Sequence, residues 1–478
     1  MRRFVPVLVL ALAPAAHAGT FEATPADDLE AKINALVAGD ELIVHGGTYT
    51  LSGRFGISLA GTAAAPIVIR AADGERPVID RPAADQNIWD LDRADYVTIR
   101  GLEFKGGSAG VRITAADHLT IEDCEIHDTA DVALRANDGG AVCCNLLIRH
   151  NHIHHTDGTG EGMYLGCNNN GCRVLDSVIE RNYVHHTNAA TVSQGDGIEL
   201  KEGSAGNVIR DNVIHDTGYP CILTYATVGN GGPNVIEGNA LWGCGDHAIQ
   251  SAADAIIRNN LILGSVANGI AMQPHQAGTP ANLVVVHNTV LHATNDAIRV
   301  SGITGAVTIA NNALYAQAGN AIAASGTLAG LVVAGNRGVG ATSGVSGGFT
   351  ASTLDGDLVS GSYAGAPPMD LFPRDGSSLI GAGDPAHAVA IDFNGVARGA
   401  SVDVGAYAFA AGGNPGWQLA ADFKGFPVGG GDTDAGVDGG GGGEAGGCCQ
   451  TGATPAAPVG LGALVALALR RRRRARVS

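Results

Sequence analysis

The charged and aromatic side chains most able to do chemistry gather around Glu199-Leu200-Lys201 of this 478-residue chain. Strand alternation sets Glu199 and Lys201 on the face opposite Leu200, so both project outward. Equivalent short strands nearby bring Arg135, Tyr164, Tyr225 and Gln250 toward the same wall, and the turns leading into it carry Glu161 and Asp196. A base and a counter-charge held together in this way would suit proton abstraction beside a carboxyl group, which needs both. A solvated salt-bridged wall is the other reading of Glu199 and Lys201.

Histidines form a second constellation. His127, His154, His185 and His215 recur in an aliphatic-His-x-Thr turn, with Asp128, His155, His186 and Asp216 beside them and Thr129, Thr156, Thr187 and Thr217 in a neighbouring column. Zinc accepts such spacing in principle, but the regular recurrence favours a structural turn ladder. Paired carboxylates for glycoside hydrolysis are not evident, because the one Asp-Asp pair, Asp27-Asp28, falls in an N-terminal helical pattern. Among nine cysteines, Cys143, Cys144, Cys167 and Cys172 lie in loops of consecutive units and suit cross-loop disulfides of open connectivity. Cys124 reads as a buried small residue, while Cys221 and Cys244 occupy adjacent units in different columns.

The elements that must position these groups are repeats. From Val97 an aliphatic-x-x-Asn-x-aliphatic strand returns as IRHNHI, IERNYV, IRDNVI, IEGNAL, IRNNLI, VVHNTV and IANNAL. Asn151, Asn182, Asn212, Asn239, Asn260, Asn288, Asn312 and Asn336 recur every 21 to 31 residues. A second short strand follows each turn, as in EGMYL, DGIEL and PCILT. Short strands at this spacing stack as a parallel solenoid with coils ~4.8 Å apart, so equivalent residues align in columns. The asparagines then form a buried amide ladder. DDLEAKINALV, from Asp27, supplies a helix to cap the first coil, and the stretch from Gly381 to Phe409 is expected to supply closing strands and a cap. The fold class expected is all-β: a single-stranded right-handed parallel β-helix solenoid with an N-terminal capping helix.

The ends differ from this body. Residues 1–18 have the basic start, apolar run and small-residue ending of a signal peptide. The β-helix is assigned to 19–410, a Gly-rich linker to 411–447, and a Cys-Cys pair, short apolar helix and Arg cluster to 448–478. This tail resembles the C-terminal sorting tails of myxobacterial surface proteins, which implies a secreted, cell-surface, outer membrane-associated protein, a sorting protease as partner, and membrane contact only through the tail. The formal charge of −17, with eight arginines in the two ends, argues against nucleic acid as a partner.

With the capping helix and the Asn-bearing coils in place, residues 24–345 resemble the right-handed parallel β-helix superfamily of pectate lyases and chondroitinase-B-like or alginate lyases. The resemblance implies a polysaccharide partner, acidic where it carries uronate, and a uronate-polymer lyase acting by β-elimination. It also implies Lys201 as base, Arg135 or calcium at Glu161, Asp196 and Glu199 as counter-charge, and Tyr164, Tyr225 and Gln250 as sugar contacts or proton donors. One departure stands out: chondroitinase-B-like lyases carry a second basic residue about one coil past the lysine, where this chain has Leu223 and Tyr225. The sequence therefore leaves open whether the protein is an enzyme, and the alternative is a noncatalytic glycan-binding or adhesive surface β-helix.

Overall fold

The computed structural model describes residues 18–425. The expected signal segment, the linker from 426 onward and the anchor tail lie outside the described residues.

Alternating aliphatic residues build the coils. One parallel sheet holds 13 strands, from Thr20–Ala23 to Leu331–Ala334, and a second set of 23 wraps the other faces of the solenoid. Pairing is in register from coil to coil, so Ile121, Ile148, Ile179, Ile209, Ile236, Ile257, Val285 and Ile309 stack as one column. All eight are buried. Each such side chain contributes roughly 1.5–3 kcal/mol on burial, which lets a core poor in aromatic rings hold.

The amide ladder runs as expected. Asn182 Nδ2 donates to Asn212 Oδ1 at 3.0 Å and to the Ile148 carbonyl of the preceding coil at 2.9 Å, while Asn182 Oδ1 accepts from Asn151. The same pattern continues to Asn336. A shorter second ladder, from Ser177 to Asn207 to Asn234, has the same logic. The threonine column also forms, each hydroxyl donating to a turn carbonyl. At the start of the chain the helix Leu29–Asn34, capped by the Asp28 carboxylate on Ala31 N, buries Leu29 and Ile33.

The C-terminal portion departs from expectation. The stretch from Gly381 to Phe409 contributes no further coil strand and instead doubles back along the outside of the solenoid. Asp384 bonds Asn311, Arg398 bonds Asn259, and Lys424 bonds Asp211. Phe372, Phe393 and Tyr407 pack on Trp242, Leu263 and Tyr315 in a separate apolar cluster. Segment 411–425, expected to be linker, is part of this layer: Lys424 is buried and donates to the carbonyls of Gly238 and Phe393. The physical reason is that an outward wall of Trp, Leu and Tyr needs apolar cover.

Among the described residues two disulfides form, Cys167–Cys172 and Cys221–Cys244. The first closes a single loop, so it does not bridge loops of consecutive coils. The second joins adjacent coils although its cysteines sit in different columns, because Cys221 follows the turn that brings it beneath Cys244. Cys124 is buried in the ladder column, its N–H donating to Asn151 Oδ1.

Candidate functional site

Four successive strands carry the site: Leu134–Ala136, Met163–Leu165, Ile198–Leu200 and Ile222–Thr224. Their inward residues Leu134, Met163, Ile198 and Ile222 align in the core. Outward, the register aligns Arg135, Tyr164, Glu199, Leu223 and Gln250. Lys201 follows its strand and bends back over Gly166, where a side chain would meet Lys201 Cβ at 3.1 Å.

The structure brings six of the expected residues together. Lys201 Nζ lies 2.5 Å from Glu199 Oε1 and 3.2 Å from Tyr225 Oη. It also lies 4.7 and 4.9 Å from the ring centroids of Tyr164 and Tyr225. Tyr225 Oη donates to Glu199 Oε1 at 2.9 Å. Glu161, Asp196 and Glu199 each place a carboxylate oxygen within 4.8 Å of the others. Arg135 and Gln250 stand apart, each two strands from Glu199, or roughly 10 Å along the stack. Arg135 is held by Asp131 and Asn87, and Gln250 by Gln273 at 3.5 Å.

This wall is not solvated. Lys201 is 4% exposed and Glu199 1%, with Glu161, Asp196 and Tyr225 also buried. The solvated salt-bridge reading is therefore excluded for Glu199 and Lys201, which are covered by loops that the strand pattern does not describe. Glu202 ties two of these loops together, accepting from Asn169 N and Ala277 N. The second loop brings His275, absent from the sequence reading, to 3.2 Å from Tyr225 Oη. No periodic signal marks His275; it follows Pro274 in an irregular stretch.

Electrostatics set the cluster apart. Burial pushes the Asp196 carboxyl well above the usual carboxylate range, and Glu199 and Glu161 add to the effect. Burial likewise raises Glu161 despite its bond from Thr159. Burial alone would lower the Lys201 ammonium, but Glu199 and Tyr164 outweigh it and leave Lys201 above its ordinary value. Burial and the neighbouring Glu199 raise the Tyr225 phenol, so it stays protonated. Glu161 Oε1, Asp196 Oδ1 and Glu199 Oε2 are buried without a hydrogen-bond partner. Unpartnered carboxylate oxygens in a dry site are costly. With all three ionised, as a bound cation would favour, three carboxylates against one ammonium leave two negative charges, the complement of one divalent cation, and an all-oxygen set suits calcium.

Known proteins place this geometry in context. A 108-residue stretch is 34% identical to the pectate lyase PEL9 of Emericella nidulans, covering 20% of this chain and 26% of that protein, so the match spans about a quarter of the relative. The solved structure of XylC in complex with xylose aligns over 83% of this chain and 99% of its own, with a TM-score of 0.56 at 10% identity, a likeness of fold alone. The crystal structure of pectate lyase Pel9A aligns over 82% of this chain and 96% of its own, at 16% identity and a TM-score of 0.46. A general right-handed β-helix model matches residues 176–337. The Pel9A-like right-handed β-helix model matches residues 11–255, just over half of the chain, and the chain belongs to that family.

Proposed function

We propose that this protein cleaves a uronate-bearing polysaccharide by cation-assisted β-elimination, with Lys201 as the base. The observation that carries the reading is the buried Lys201 ammonium beside three carboxylates whose unpartnered oxygens leave room for one divalent cation. Family membership and the pectate lyase among the relatives support the substrate class.

Glu161, Asp196 and Glu199 would hold calcium, which when bound supplies positive charge against a substrate carboxylate and draws on the Glu199 charge that keeps Lys201 protonated. Lys201 would then release its own proton to solvent, and as the neutral amine its Nζ takes the proton beside the uronate carboxyl. The electron pair left on that carbon forms the new double bond as the neighbouring C–O bond breaks. Tyr225, protonated and 3.2 Å from Nζ, is placed to give its proton to the departing glycosidic oxygen. His275 steadies the Tyr225 hydroxyl. Tyr164, half-buried against Lys201, offers ring surface to a sugar. Arg135 and Gln250, on either side, would meet neighbouring sugar units. The two disulfides support an exported, oxidising setting for this activity.

A noncatalytic glycan-binding role is the second reading, favoured by the depth at which Lys201 and Tyr225 lie and by Leu223 in the place of a second basic residue. The test is incubation of the protein with pectate, alginate and glycosaminoglycans, with calcium or with chelator, following the ultraviolet absorbance of unsaturated uronates. Calcium-dependent absorbance on one polymer, lost in Lys201→Ala, is expected. Absence of signal on every polymer, or undiminished signal in Lys201→Ala, overturns the lyase reading.

A further inference from the structure

A second polar cluster lies on the neighbouring face of the same coils, remote from the Lys201 chemistry. Strands Glu125–Thr129 and His152–Thr156 are adjacent and in register, Glu125 against His152 and His127 against His154. His152 and His154 are two residues apart on one strand and so share its outward face. Both aim at a single oxygen: His152 Nδ1 is 3.4 Å and His154 Nε2 2.9 Å from Glu125 Oε1. Arg76 occupies the other oxygen of Glu125, which fixes the carboxylate with Oε1 toward the rings.

We propose that Glu125, His152 and His154 form a binding site for a zinc-class divalent transition metal. Two imidazoles and one carboxylate are a donor set that zinc accepts, and zinc bonds of about 2.0–2.1 Å place tetrahedral ligand atoms about 3.3 Å apart, close to the separations found. Ring stacking accounts for the column His127, His154, His185 and His215, whose neighbouring rings lie within 20° of parallel. His152 stacks instead on Tyr183 of the next coil, 9° from parallel at 5.1 Å, and is tilted 46° from His154 at 4.2 Å, an orientation that turns its Nδ1 to the same carboxylate as His154 Nε2.

The remaining ring nitrogens complete the case. His152 Nε2 meets His185 Nε2 at 2.8 Å, and His154 Nδ1 meets His155 Nδ1 at 2.6 Å. If the metal-facing nitrogens carry lone pairs, both of these outer nitrogens carry the proton and donate. His185, accepting at Nε2, then donates from Nδ1 to His186 Nδ1 at 2.5 Å. One consistent set of tautomers therefore satisfies all three contacts, and outer partners of this kind orient metal-ligating histidines. The strand ladder fixes the spacing of the backbone beneath the ligands, so little ordering remains to be done on binding. A surface cleft of ≈ 220 Å³ beside Glu125 and His152, walled by His150 and Phe423, gives an ion access.

The experiment is zinc titration of the untagged, metal-stripped full chain in excess calcium, read by competition with a chromophoric chelator, with no polysaccharide present. One zinc equivalent is expected, weakened at least about ten-fold in Glu125→Gln and in His152→Ala. It should be unchanged in Lys201→Ala and in His215→Ala, which removes a ring of the stack without touching the three ligands. Cobalt in place of zinc should give a visible ligand-field band that both ligand variants lose. Circular dichroism checks folding, and should His152→Ala fail to fold, the near-isosteric Glu125→Gln carries the test. Absence of zinc binding to the wild-type protein, or wild-type affinity in Glu125→Gln, overturns the proposal.

Discussion

Asp196→Asn should change stability with opposite signs in chelator and in calcium. Asp196, Glu161 and Glu199 hold carboxylate oxygens within 4.8 Å of one another in a buried site. At that separation and an effective dielectric of about 20, each like-charge pair costs about 3 kcal/mol. The amide removes two such repulsions and one attraction to Lys201, a net relief of about one pair. Protonation already relieves part of this in the wild type, because burial raises the Asp196 carboxyl. A gain of about 1–3 kcal/mol is therefore expected for Asp196→Asn in chelator at pH 8. The folded wild type retains more protons than the unfolded chain above pH ~4, so its stability falls as pH rises through the raised pKa. The variant lacks this loss, and the two proteins should converge on acidification. With calcium at a thousand times its dissociation constant the wild type should gain about 4.1 kcal/mol and the variant nothing. Urea unfolding at pH 5.5 and pH 8, with calcium or chelator, reads all four states. A wild type indifferent to calcium, or a variant destabilised equally in chelator and in calcium, would refute the reasoning.

Asn212→Ala should cost roughly 3–5 kcal/mol in urea unfolding, because it strands the Asn182 N–H, one Asn182 amide hydrogen and the Ile179 carbonyl inside the core; a loss below about 1 kcal/mol would show that the ladder is dispensable. The histidine column should weaken the protein in acid. Burial and mutual repulsion lower His152 to about 4, His154 to about 4 and His185 to about 2. The unfolded chain then binds more protons between pH 6.5 and 4, so stability is lost as pH falls through that window. His185→Phe should flatten this loss relative to the wild type, and an identical pH dependence in the two proteins would count against it.

The degree to which the site could be read in advance follows from what kind of contact each residue makes. Glu199, Lys201, Tyr164 and Tyr225 were legible because alternation and coil register depend on local sequence, and both repeat. His275 was not, since its contact with Tyr225 spans 50 residues and rests on the path of an irregular loop. Arg135 was placed in its column by the register, beside Tyr164, but its hold by Asp131 and Asn87, two strands from Glu199, was not legible because those partners come from turns outside the strand pattern. Cys221–Cys244 was missed for a related reason, as column position describes strands and Cys221 follows a turn.

The sequence by itself determined the solenoid, its amide ladder, the capping helix and the outward columns. A coil that stacks on a copy of itself needs only a short pattern, repeated, for its long-range pairing to be specified. Tertiary structure alone decided that the wall around Lys201 is buried, that three carboxylates converge there with oxygens unpartnered, and that the chain returns along the solenoid to bury Lys424. Those outcomes depend on loops and a return segment without periodicity, whose course is set by the surface that the finished coils present.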